Sequence, residues 1–455
     1  MFFRFNLIDP FLGRLDYESM SQQALMEIVV SQLSDTNQQT FKDANGHFLD
    51  IQDWNLVKLD ENGEVQKIEW WVNVENNTKR ENQGTILLEW LPDTVAEFDI
   101  DNRGLEGVLD CGKMPRHIRE WNASNNRLTG NIDLSVLPSK IEVFDVSQNF
   151  FTGNVDLRPL PKSLSSLNLC GNRLAGTLRL SRGNITLQEL LLGDNQIEGN
   201  IDLSQLPQEL RKFDCARNRL HGSVVFTDLP ETLRELALFE NKLSGEISLD
   251  VLPRNLVKLS VMENSFTGTI SSAMLPPQLS LLFLWKNALH GTVDFTTLPR
   301  ILSKIALYDN NFSGSVELTC LPGMLKGLYV QRNAFSGKID LSILPATLEE
   351  LSLRTNKFHG TVDLLQLPPR LRSLRLSENS FSGDVNLTVL PRHLETLCLS
   401  DNAFAGILTF GRIRRSLKEL KLGGNTFDIV YDGSDGDSDD VAIDKTEQLV
   451  ALAEW

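Results

Sequence analysis

Three histidines are the residues best suited to hold a metal ion, because imidazole is the commonest protein metal ligand. His221, His290 and His359 each stand directly before a glycine, at equal intervals along the chain. These intervals would place them three strands apart in a parallel sheet, or about 15 Å at ~4.8 Å per strand. A single ion cannot bind side chains that far apart. The sequence therefore predicts no metal site and no cofactor.

Nucleophilic and acid–base chemistry is also poorly supported by the spacing of the reactive residues. A thiol nucleophile needs a base within hydrogen-bond reach, but no histidine occupies a strand position beside Cys170 or Cys398. Asp145 and Asp214 are too far apart along the pattern to act as a carboxylate pair. No phosphate-binding glycine loop and no zinc-ligand spacing occurs. We therefore expect no catalytic residues, and a protein that is not an enzyme.

These residues belong to one repeated pattern, in which an asparagine recurs every 23 residues. A glycine follows four residues after each of the first thirteen asparagines, and apolar residues stand eight, five and three residues before them. A fixed period of this length predicts a stack of supersecondary units, each contacting only its neighbours. The repeat asparagines are Asn126, Asn149, Asn172, Asn195, Asn218, Asn241, Asn264, Asn287, Asn310, Asn333, Asn356, Asn379, Asn402 and Asn425.

Each repeat is expected to contain a short strand with one buried face, because apolar and variable residues alternate just before the asparagine. Strands of neighbouring repeats would pair side by side in a parallel sheet. The chain must turn after the strand, and an asparagine amide can both donate and accept hydrogen bonds there. We therefore expect the repeat asparagines to form a buried structural ladder, with every polar group satisfied.

The pattern L-x-x-L-x-L-x-x-N-x-[L/F]-x-G-x-[I/V], with Leu-Pro before the next strand, resembles the leucine-rich repeat. Its L-x-G-[I/V] segment is similar to the plant-type subclass, except that an acidic residue such as Asp133 mostly replaces the usual proline. The resemblance covers roughly residues 91–428, about 15 units. It implies an α/β-class leucine-rich repeat solenoid, coiled as a right-handed superhelix or horseshoe. The parallel sheet would be concave and the convex side mostly irregular.

The first 90 residues do not repeat and are predicted to form an N-terminal cap. A stripe of apolar residues from Ser21 to Leu33 predicts a helix. The alternation around Asn62-Gly63 predicts a hairpin. Such a cap would cover the apolar flank of the first repeat, where Arg103 occupies the asparagine position.

Residues 429–455 are predicted to be an acidic tail, with a short helical cover formed by residues 441–455. A calcium loop starting at Asp435 would need a glycine where Asp440 stands and a glutamate where Thr446 stands. The aspartate-rich run is therefore interpreted as a solvated segment rather than a metal site.

Charge, hydropathy and cysteine content limit the possible cellular location of the protein and the classes of partner that it could bind. A net charge of −16 argues against a nucleic-acid groove, which needs a positive face. No apolar run is long enough for a transmembrane helix. Arg4 and Asp9 interrupt the N-terminal apolar stretch expected of a signal peptide. The five cysteines are scattered, and the N-x-[S/T] sites are about as many as chance gives. A cytoplasmic location is favoured, with an extracellular or cell-surface one as the alternative.

The strand residues four and two positions before each asparagine should face outward, and their character changes along the array. Small or polar residues occupy both ends, and large apolar ones the middle. At 7% aromatic content these positions should hold about two aromatics, but they hold five. Solvent-facing apolar patches commonly mark interaction sites, and Trp and Tyr are frequent anchors. The predicted aromatic patch consists of Phe239, Met262, Leu281, Phe283, Trp285, Tyr308 and Tyr329.

Arg354 and Arg375 follow this patch and would suit an acidic or carboxylate group on a partner. The sequence thus favours a non-catalytic interaction module that binds a protein or peptide on its concave face, as a receptor segment, adaptor or scaffold. The alternative is a surface or secreted glycoprotein for adhesion or display, and an enzyme of unknown type is a third option. A terminal segment of the chain or a neighbouring subunit could instead cover the patch, or the patch could be drift on a tolerant surface.

Overall fold

The computed structural model describes residues 17–72, 82–183, 186–411 and 414–431. The chain forms two compact units, residues 1–197 and residues 198–455. Their boundary falls inside the repeats predicted for residues 91–428. The helical cover predicted for residues 441–455 lies outside the described residues.

Helices are few, short and concentrated near the N-terminus of unit 1. Helix α1 spans Gln22–Val30 and helix α2 spans Asp35–Gln38. Each begins after a serine whose hydroxyl oxygen accepts a hydrogen bond from a backbone N–H of the first turn, which satisfies a donor that the helix leaves unpaired. Single 3₁₀ turns lie at Tyr17–Ser19, Gln39–Phe41, Ile51–Asp53, Leu88–Trp90, Cys111–Lys113, Leu134–Val136, Leu203–Gln205, Ser272–Met274 and Phe295–Thr297.

Unit 1 is built on a mainly parallel sheet. Its strands, in chain order, are β1 (Val57–Leu59), β2 (Val65–Glu69), β3 (Glu97–Asp99), β4 (Glu106–Val108), β5 (Glu120–Asn122), β6 (Arg127–Thr129), β7 (Val143–Asp145), β8 (Ser166–Asn168), β9 (Ala175–Thr177) and β10 (Glu189–Leu191). Strands β1 and β2 form an antiparallel pair, and β2 then pairs in parallel with β3. The sheet continues through β5, β7, β8 and β10, one strand per repeat. The strand β11 (Gln196–Gly199) spans the boundary between the units.

Unit 2 repeats this arrangement with two strands in most repeats. Its strands are β12 (Lys212–Asp214), β13 (Arg219–Ser223), β14 (Glu235–Ala237), β15 (Lys242–Glu246), β16 (Lys258–Ser260), β17 (Ser265–Thr267), β18 (Leu281–Phe283), β19 (His290–Thr292), β20 (Lys304–Ala306), β21 (Asn311–Gly314), β22 (Gly327–Tyr329), β23 (Ala334–Gly337), β24 (Glu350–Ser352), β25 (Lys357–Gly360), β26 (Ser373–Arg375), β27 (Ser380–Phe381), β28 (Val385–Asn386), β29 (Thr396–Cys398), β30 (Ile407–Phe410), β31 (Glu419–Lys421) and β32 (Asp428–Tyr431).

The strand before each repeat asparagine joins the main parallel sheet of unit 2. The order in this sheet is β12, β14, β16, β18, β20, β22, β24, β26, β29 and β31. Leu259, Leu282 and Ile305 are direct partners in neighbouring strands. Equivalent residues of successive repeats therefore lie side by side, so that each position of the repeat becomes a row across the sheet.

A one-sided apolar core runs behind the main sheet. The apolar residues eight, five and three positions before an asparagine are fully buried, as in Leu256, Leu259 and Val261. The second residue after the asparagine is often a buried phenylalanine, and these rings stack between repeats. The rings of Phe358 and Phe381 lie 6.2 Å apart and almost parallel. Full burial of such a side chain contributes about 1.5–3 kcal/mol, so each repeat is stabilised mainly by its two neighbours.

The opposite side of the core carries short parallel strands and 3₁₀ turns, including the series β19, β21, β23, β25 and β27. The chain reaches it through the repeat glycine. At Gly130 the backbone has a φ of 138°, and an added Cβ would lie 2.5 Å from the carbonyl oxygen of Leu109. The acidic residue that replaces the plant-type proline caps the turn that follows, since the Asp133 carboxylate accepts a hydrogen bond from the N–H of Ser135.

The repeat asparagines connect neighbouring repeats through backbone groups. The side-chain amide of Asn310 donates to the carbonyl oxygens of Leu284, Leu307 and Tyr308, at 3.0–3.2 Å. Its side-chain oxygen accepts from the N–H of Leu289 at 3.0 Å. Leu284 and Leu289 belong to the preceding repeat. One buried side chain thus satisfies four backbone groups, two of them across the repeat boundary, and Asn287 and Asn333 make equivalent bonds.

The residue directly before each of these asparagines adopts a left-handed backbone conformation. Glu240 and Thr355 both have a φ of 53°, and the two glycines at this position, Gly171 and Gly424, have positive φ as well. This conformation costs an ordinary L-residue roughly 1–2 kcal/mol. The hydrogen bonds of the asparagine that follows hold the turn in place.

Arg103 has a structural role at the asparagine position of the first repeat. Its guanidinium group donates to the carbonyl oxygen of Trp70 at 3.0 Å and to the side-chain oxygen of Asn37 at 3.2 Å. Asn37 is buried in helix α2, and Trp70 follows strand β2. The longer side chain thus bridges the first repeat to the non-repeating residues before it.

The last described strand, β32, runs past the boundary that the sequence predicts at residue 428. It pairs in parallel with β30, with Tyr431 opposite Phe410. This pairing uses backbone groups and needs no repeat motif, which is why the sequence pattern gives no sign of it.

Candidate binding surface

The main sheet of unit 2 has one face packed on the core and one open face. Neighbouring strands place Phe283, Ala306 and Tyr329 in one row of the open face, and Arg375 lies further along the same row. The aromatic patch predicted from the sequence falls on strands β14, β16, β18, β20 and β22 of the main sheet and on the second residue after four of them. The structure therefore brings its seven side chains onto five successive strands.

All seven side chains of the aromatic patch are partly exposed rather than packed into the core. Small neighbours lie beneath them. Ala306, between Phe283 and Tyr329, is only 4% exposed although its side chain is on the open face. Its low exposure shows that larger side chains around it shield this small residue from water.

Trp285 and Tyr308 form the centre of the patch. Their ring centroids are 4.8 Å apart and their planes differ by 11°, a stacked pair. The ammonium group of Lys286 lies 5.2 Å from the Trp285 ring and also pairs with Glu263 at 3.2 Å. Contacts of this kind reduce the freedom of the indole, so a partner would meet rings that are already ordered.

Gly327 contributes to the surface although sequence reasoning did not identify it. A Cβ added there would lie 2.7 Å from a ring carbon of Tyr329 and 2.8 Å from its hydroxyl oxygen. The phenol therefore occupies the space that a side chain at position 327 would need. The signal was present in the sequence, because no other repeat has a glycine six residues before its asparagine.

A depression of about 550 Å³ opens beside the stacked rings. One side is aromatic and the other is polar and positively charged. Its lining residues are Phe283, Trp285, Lys304, Ala306, Tyr308, Asp309, Tyr329, Gln331, Arg332, Ser352, Arg354 and Arg375.

Arg354 and Arg375 line this depression and already have partners within the chain. The Arg354 guanidinium pairs with the Glu378 carboxylate and holds the pKa of that group below its usual value. Arg375 donates to the Ser373 hydroxyl at 2.7 Å and lies 3.9 Å from the Glu419 carboxylate. These contacts fix the positions of the two guanidinium groups. A guanidinium has five N–H donors, so each of the two groups can donate further hydrogen bonds to an anion.

Gln331 lies between the aromatic and basic sides. Its side-chain oxygen is buried and makes no hydrogen bond within the described part of the chain. An unpaired buried acceptor is unfavourable by about 1–3 kcal/mol. This position of the depression can therefore gain a hydrogen bond from a donor on a ligand if the amide rotates.

The two tyrosines of the patch, Tyr308 and Tyr329, are predicted to ionise at a higher pH than a free tyrosine. Burial, then the charges of Asp309 and Glu263, raise the pKa of Tyr308 to about 12. Burial and the Glu350 carboxylate raise the pKa of Tyr329 further above its ordinary value. Because folding favours the neutral form of the Tyr308 phenol, this group stabilises the folded protein fully below pH 10.0. That contribution to the free energy of unfolding is lost as the pH rises from 10.0 through about 12.

Alkaline titration followed by tyrosinate absorbance tests this prediction. The folded protein should ionise well above the denatured chain, and Tyr308→Phe should remove part of the late-ionising signal. Coincident curves for the folded and denatured protein would show that the phenols of the patch are as hydrated as free tyrosine.

The histidine, cysteine and aspartate residues with possible catalytic chemistry are dispersed. His221, His290 and His359 are exposed on strands β13, β19 and β25, away from the main sheet. Cys170 and Asp145 belong to unit 1, whereas Cys398 and Asp214 belong to unit 2. Within the described ranges no group of His, Cys, Asp and Glu could hold a metal ion. All five cysteines lie in those ranges, and no disulfide joins any of them.

Two further sequence predictions concern the surface and the membrane. The N-x-[S/T] sites of the sequence are Asn76, Asn122, Asn184, Asn311 and Asn386. Asn76 and Asn184 lie outside the described residues, Asn311 is exposed, and Asn122 and Asn386 accept hydrogen bonds from nearby hydroxyl groups. Among the residues the structure describes, no helix has the length and apolar character needed to cross a membrane.

Solved structures with a similar fold are leucine-rich repeat proteins. The Arabidopsis receptor kinase HAESA, solved with the peptide hormone IDA and the co-receptor SERK1, is 24% identical with a TM-score of 0.56, over 89% of this chain and 82% of that one. The PEPR1–AtPEP1 structure is 18% identical with a TM-score of 0.57, over 90% and 69% of the two chains. InlJ from Listeria monocytogenes is 18% identical with a TM-score of 0.53, over 72% and 76%.

No family model and no curated protein matches the chain. The structural similarity and the stacked parallel strands nevertheless agree with the repeat pattern in the sequence. The predicted fold class is confirmed: the chain folds as a leucine-rich repeat solenoid.

Proposed function

We propose that the open face of the main sheet in unit 2 binds a protein or peptide, with the aromatic patch as its anchor. The observation that carries this proposal is the ordered Trp285–Tyr308 stack, partly exposed and next to a depression that two fixed arginines line. Aromatic side chains and arginine are the residue types that most often dominate binding energy at interfaces. The protein would act as a non-catalytic interaction module.

The geometry selects the chemistry of the partner. The stacked rings offer a flat apolar surface for an aromatic, aliphatic or proline side chain. Arg354 and Arg375, at the other side of the depression, offer charge-assisted hydrogen bonds to a carboxylate. A partner segment with an apolar residue followed by an acidic group therefore fits better than a basic one.

Similar folds support a peptide or protein partner. HAESA was solved with a peptide hormone and a co-receptor, and PEPR1 was solved with AtPEP1. Identity is low in both cases, so the similarity supports the general kind of partner and does not identify it.

A selection from a random displayed peptide library tests the proposal with a defined probe. Peptides selected on the intact protein should combine an apolar residue with an acidic residue or a free carboxyl terminus. Their binding should weaken when Arg354 and Arg375 are both changed to Gln, while the aromatic patch stays intact.

Arg254→Gln with Arg300→Gln is the matched control, since both arginines are exposed in the same unit but do not line the depression. If the selected peptides bind the Arg354→Gln/Arg375→Gln variant and the intact protein equally well, these two arginines do not recognise an acidic group of the partner. A selection that yields no peptide dependent on the open face would overturn the proposal.

A further inference from the structure

Three consecutive turns of unit 2 present a group of basic side chains. In each turn a leucine N–H donates to the carbonyl oxygen three residues earlier at 3.1 Å, which closes four-residue turns at 368–371, 391–394 and 414–417. The turns lead into strands β26, β29 and β31 of the main sheet. Because these strands are direct neighbours, successive turns are about 4.8 Å apart.

The turns and the residue that follows each of them carry six cations, in a chain whose net charge is −16. Arg370, Arg392 and Arg415 occupy central positions of the turns, and all six cations are exposed. These segments contain one carboxylate, Glu395. We name the group the basic cluster; its cations are Arg370, Arg372, Arg392, Arg414, Arg415 and Lys418.

Glu395 neutralises only part of this charge. Its carboxylate lies 2.5 Å from the ammonium of Lys418 and 3.7 Å from the guanidinium of Arg372. Lys418, and to a smaller extent Arg372, hold the pKa of Glu395 below its usual value. Exposed like charges at this density repel one another and attract an anion. Among the described residues, no carboxylate pairs with the other four cations, Arg370, Arg392, Arg414 and Arg415.

The basic cluster adjoins the depression beside the aromatic patch. Arg375 lines the depression and ends strand β26, and Arg372 directly precedes the same strand. At a strand rise of about 3.3 Å per residue, the Cα atoms of these two arginines are about 10 Å apart. A partner that contacts Arg375 therefore reaches the basic cluster with about three further residues of extended chain.

The chemistry of the basic cluster suits several carboxylates of one segment. Five of its six cations are arginines, whose planar guanidinium binds a carboxylate through two parallel hydrogen bonds. The backbone beneath them is ordered, since the N–H of Glu395 donates to Arg372 and the N–H of Lys418 donates to Glu395, both at 2.8 Å. A partner already held in the depression would present its own carboxylates at a high effective concentration. A nucleic acid would instead meet the acidic remainder of the chain.

We propose that the basic cluster is a second contact for the partner of unit 2, and that it binds a run of aspartate or glutamate residues in that partner. This rests on the proposed function, because the aromatic patch would hold the apolar part of the same segment. Each exposed ion pair is weak, so several must form together. Their main effect is on the association rate, and salt screens it.

A peptide selected on the open face is the probe. It is prepared without a tail, with four glutamates joined through Gly-Ser at one end or the other, and with four glutamines as the uncharged control. At low salt one of the two glutamate tails should tighten binding to the intact protein by about tenfold, and the glutamine tail should not. The gain should appear mainly in the association rate and disappear at high salt.

Arg392→Gln with Arg415→Gln should remove this gain and leave binding of the untailed peptide unchanged, since neither arginine lines the depression. Arg254→Gln with Arg300→Gln is the matched control and should keep the gain. Arg254 and Arg300 are exposed and occupy the same position of their turns, in repeats outside the basic cluster.

Failure of this contact can be told apart from failure of the proposed function. If no selected peptide depends on the open face, the proposed function is wrong and the acidic contact falls with it. If such a peptide binds, but neither glutamate tail or both tails equally improve binding, only the acidic contact is wrong. Loss of the gain in the Arg254→Gln/Arg300→Gln variant would also overturn it, because the effect would then reflect total charge. A short DNA duplex that binds the basic cluster more tightly than the tailed peptide would assign the surface to nucleic acid instead.

Discussion

Replacing Asn310 with alanine is expected to lower the free energy of unfolding of unit 2 by roughly 3–6 kcal/mol. The side chain satisfies the N–H of Leu289 and the carbonyl oxygens of Leu284, Leu307 and Tyr308. Asn310 is only 8% exposed, so water cannot easily replace these bonds. Leaving a buried backbone group unpaired costs about 1–3 kcal/mol. The backbone around the alanine can relax and pair some of the four groups again, so the total loss should be smaller than four times that value.

Chemical denaturation of the single variants measures this effect. Asn311→Ala is the matched control, since it changes the same residue type one position later, where the side chain is exposed. A surface substitution of this kind should leave the free energy of unfolding nearly unchanged. Asn310→Asp separates hydrogen bonding from packing. The carboxylate can still accept from Leu289 but cannot donate to three carbonyls, so it should destabilise at least as much as alanine.

Changing Trp285 and Tyr308 together to alanine is expected to weaken partner or peptide binding by about 100-fold or more, because truncating a central aromatic anchor typically costs at least ~2 kcal/mol. Both rings are partly exposed and on the open face, so their loss should change thermal unfolding little. Binding of a library-selected peptide, together with calorimetric unfolding of the same variant, gives both readouts.

Trp71→Ala is the control for the double variant, because Trp71 is a 48% exposed tryptophan in unit 1. It should leave binding unchanged. If the Trp285→Ala/Tyr308→Ala variant unfolds instead, the open face has a structural role and binding cannot be assigned to it. If it folds and binds normally, the anchor lies elsewhere.

The repeat pattern was sufficient to predict the fold, because every repeat poses the same packing problem. Apolar residues such as Leu256 and Leu259 had to be buried, and the asparagines had to satisfy a turn. The pattern could not reveal the left-handed conformation before each asparagine. Glu240, Lys286 and Thr355 occupy that position without a common side-chain property, and only Gly171 and Gly424 give a hint of it.

The candidate surface was predictable in position but not in detail. The row of outward residues located Trp285 and Tyr308 because strand periodicity fixes which side chains share a face. It could not show that Tyr329 lies over Gly327, since this contact joins two positions of one strand through a side-chain conformation. Nor could it show that Arg354 is already paired with Glu378, which depends on side chains from two repeats.

The asparagine bonds also constrain how the length of this protein can change. Each repeat asparagine recognises backbone groups of the repeat before it and no particular side chain there. Removing or duplicating one complete repeat recreates the same junction, whereas an insertion or deletion between a strand and the asparagine after it moves the asparagine away from its backbone partners. Gain or loss of whole repeats, by recombination between them, is therefore the change of length that preserves every junction.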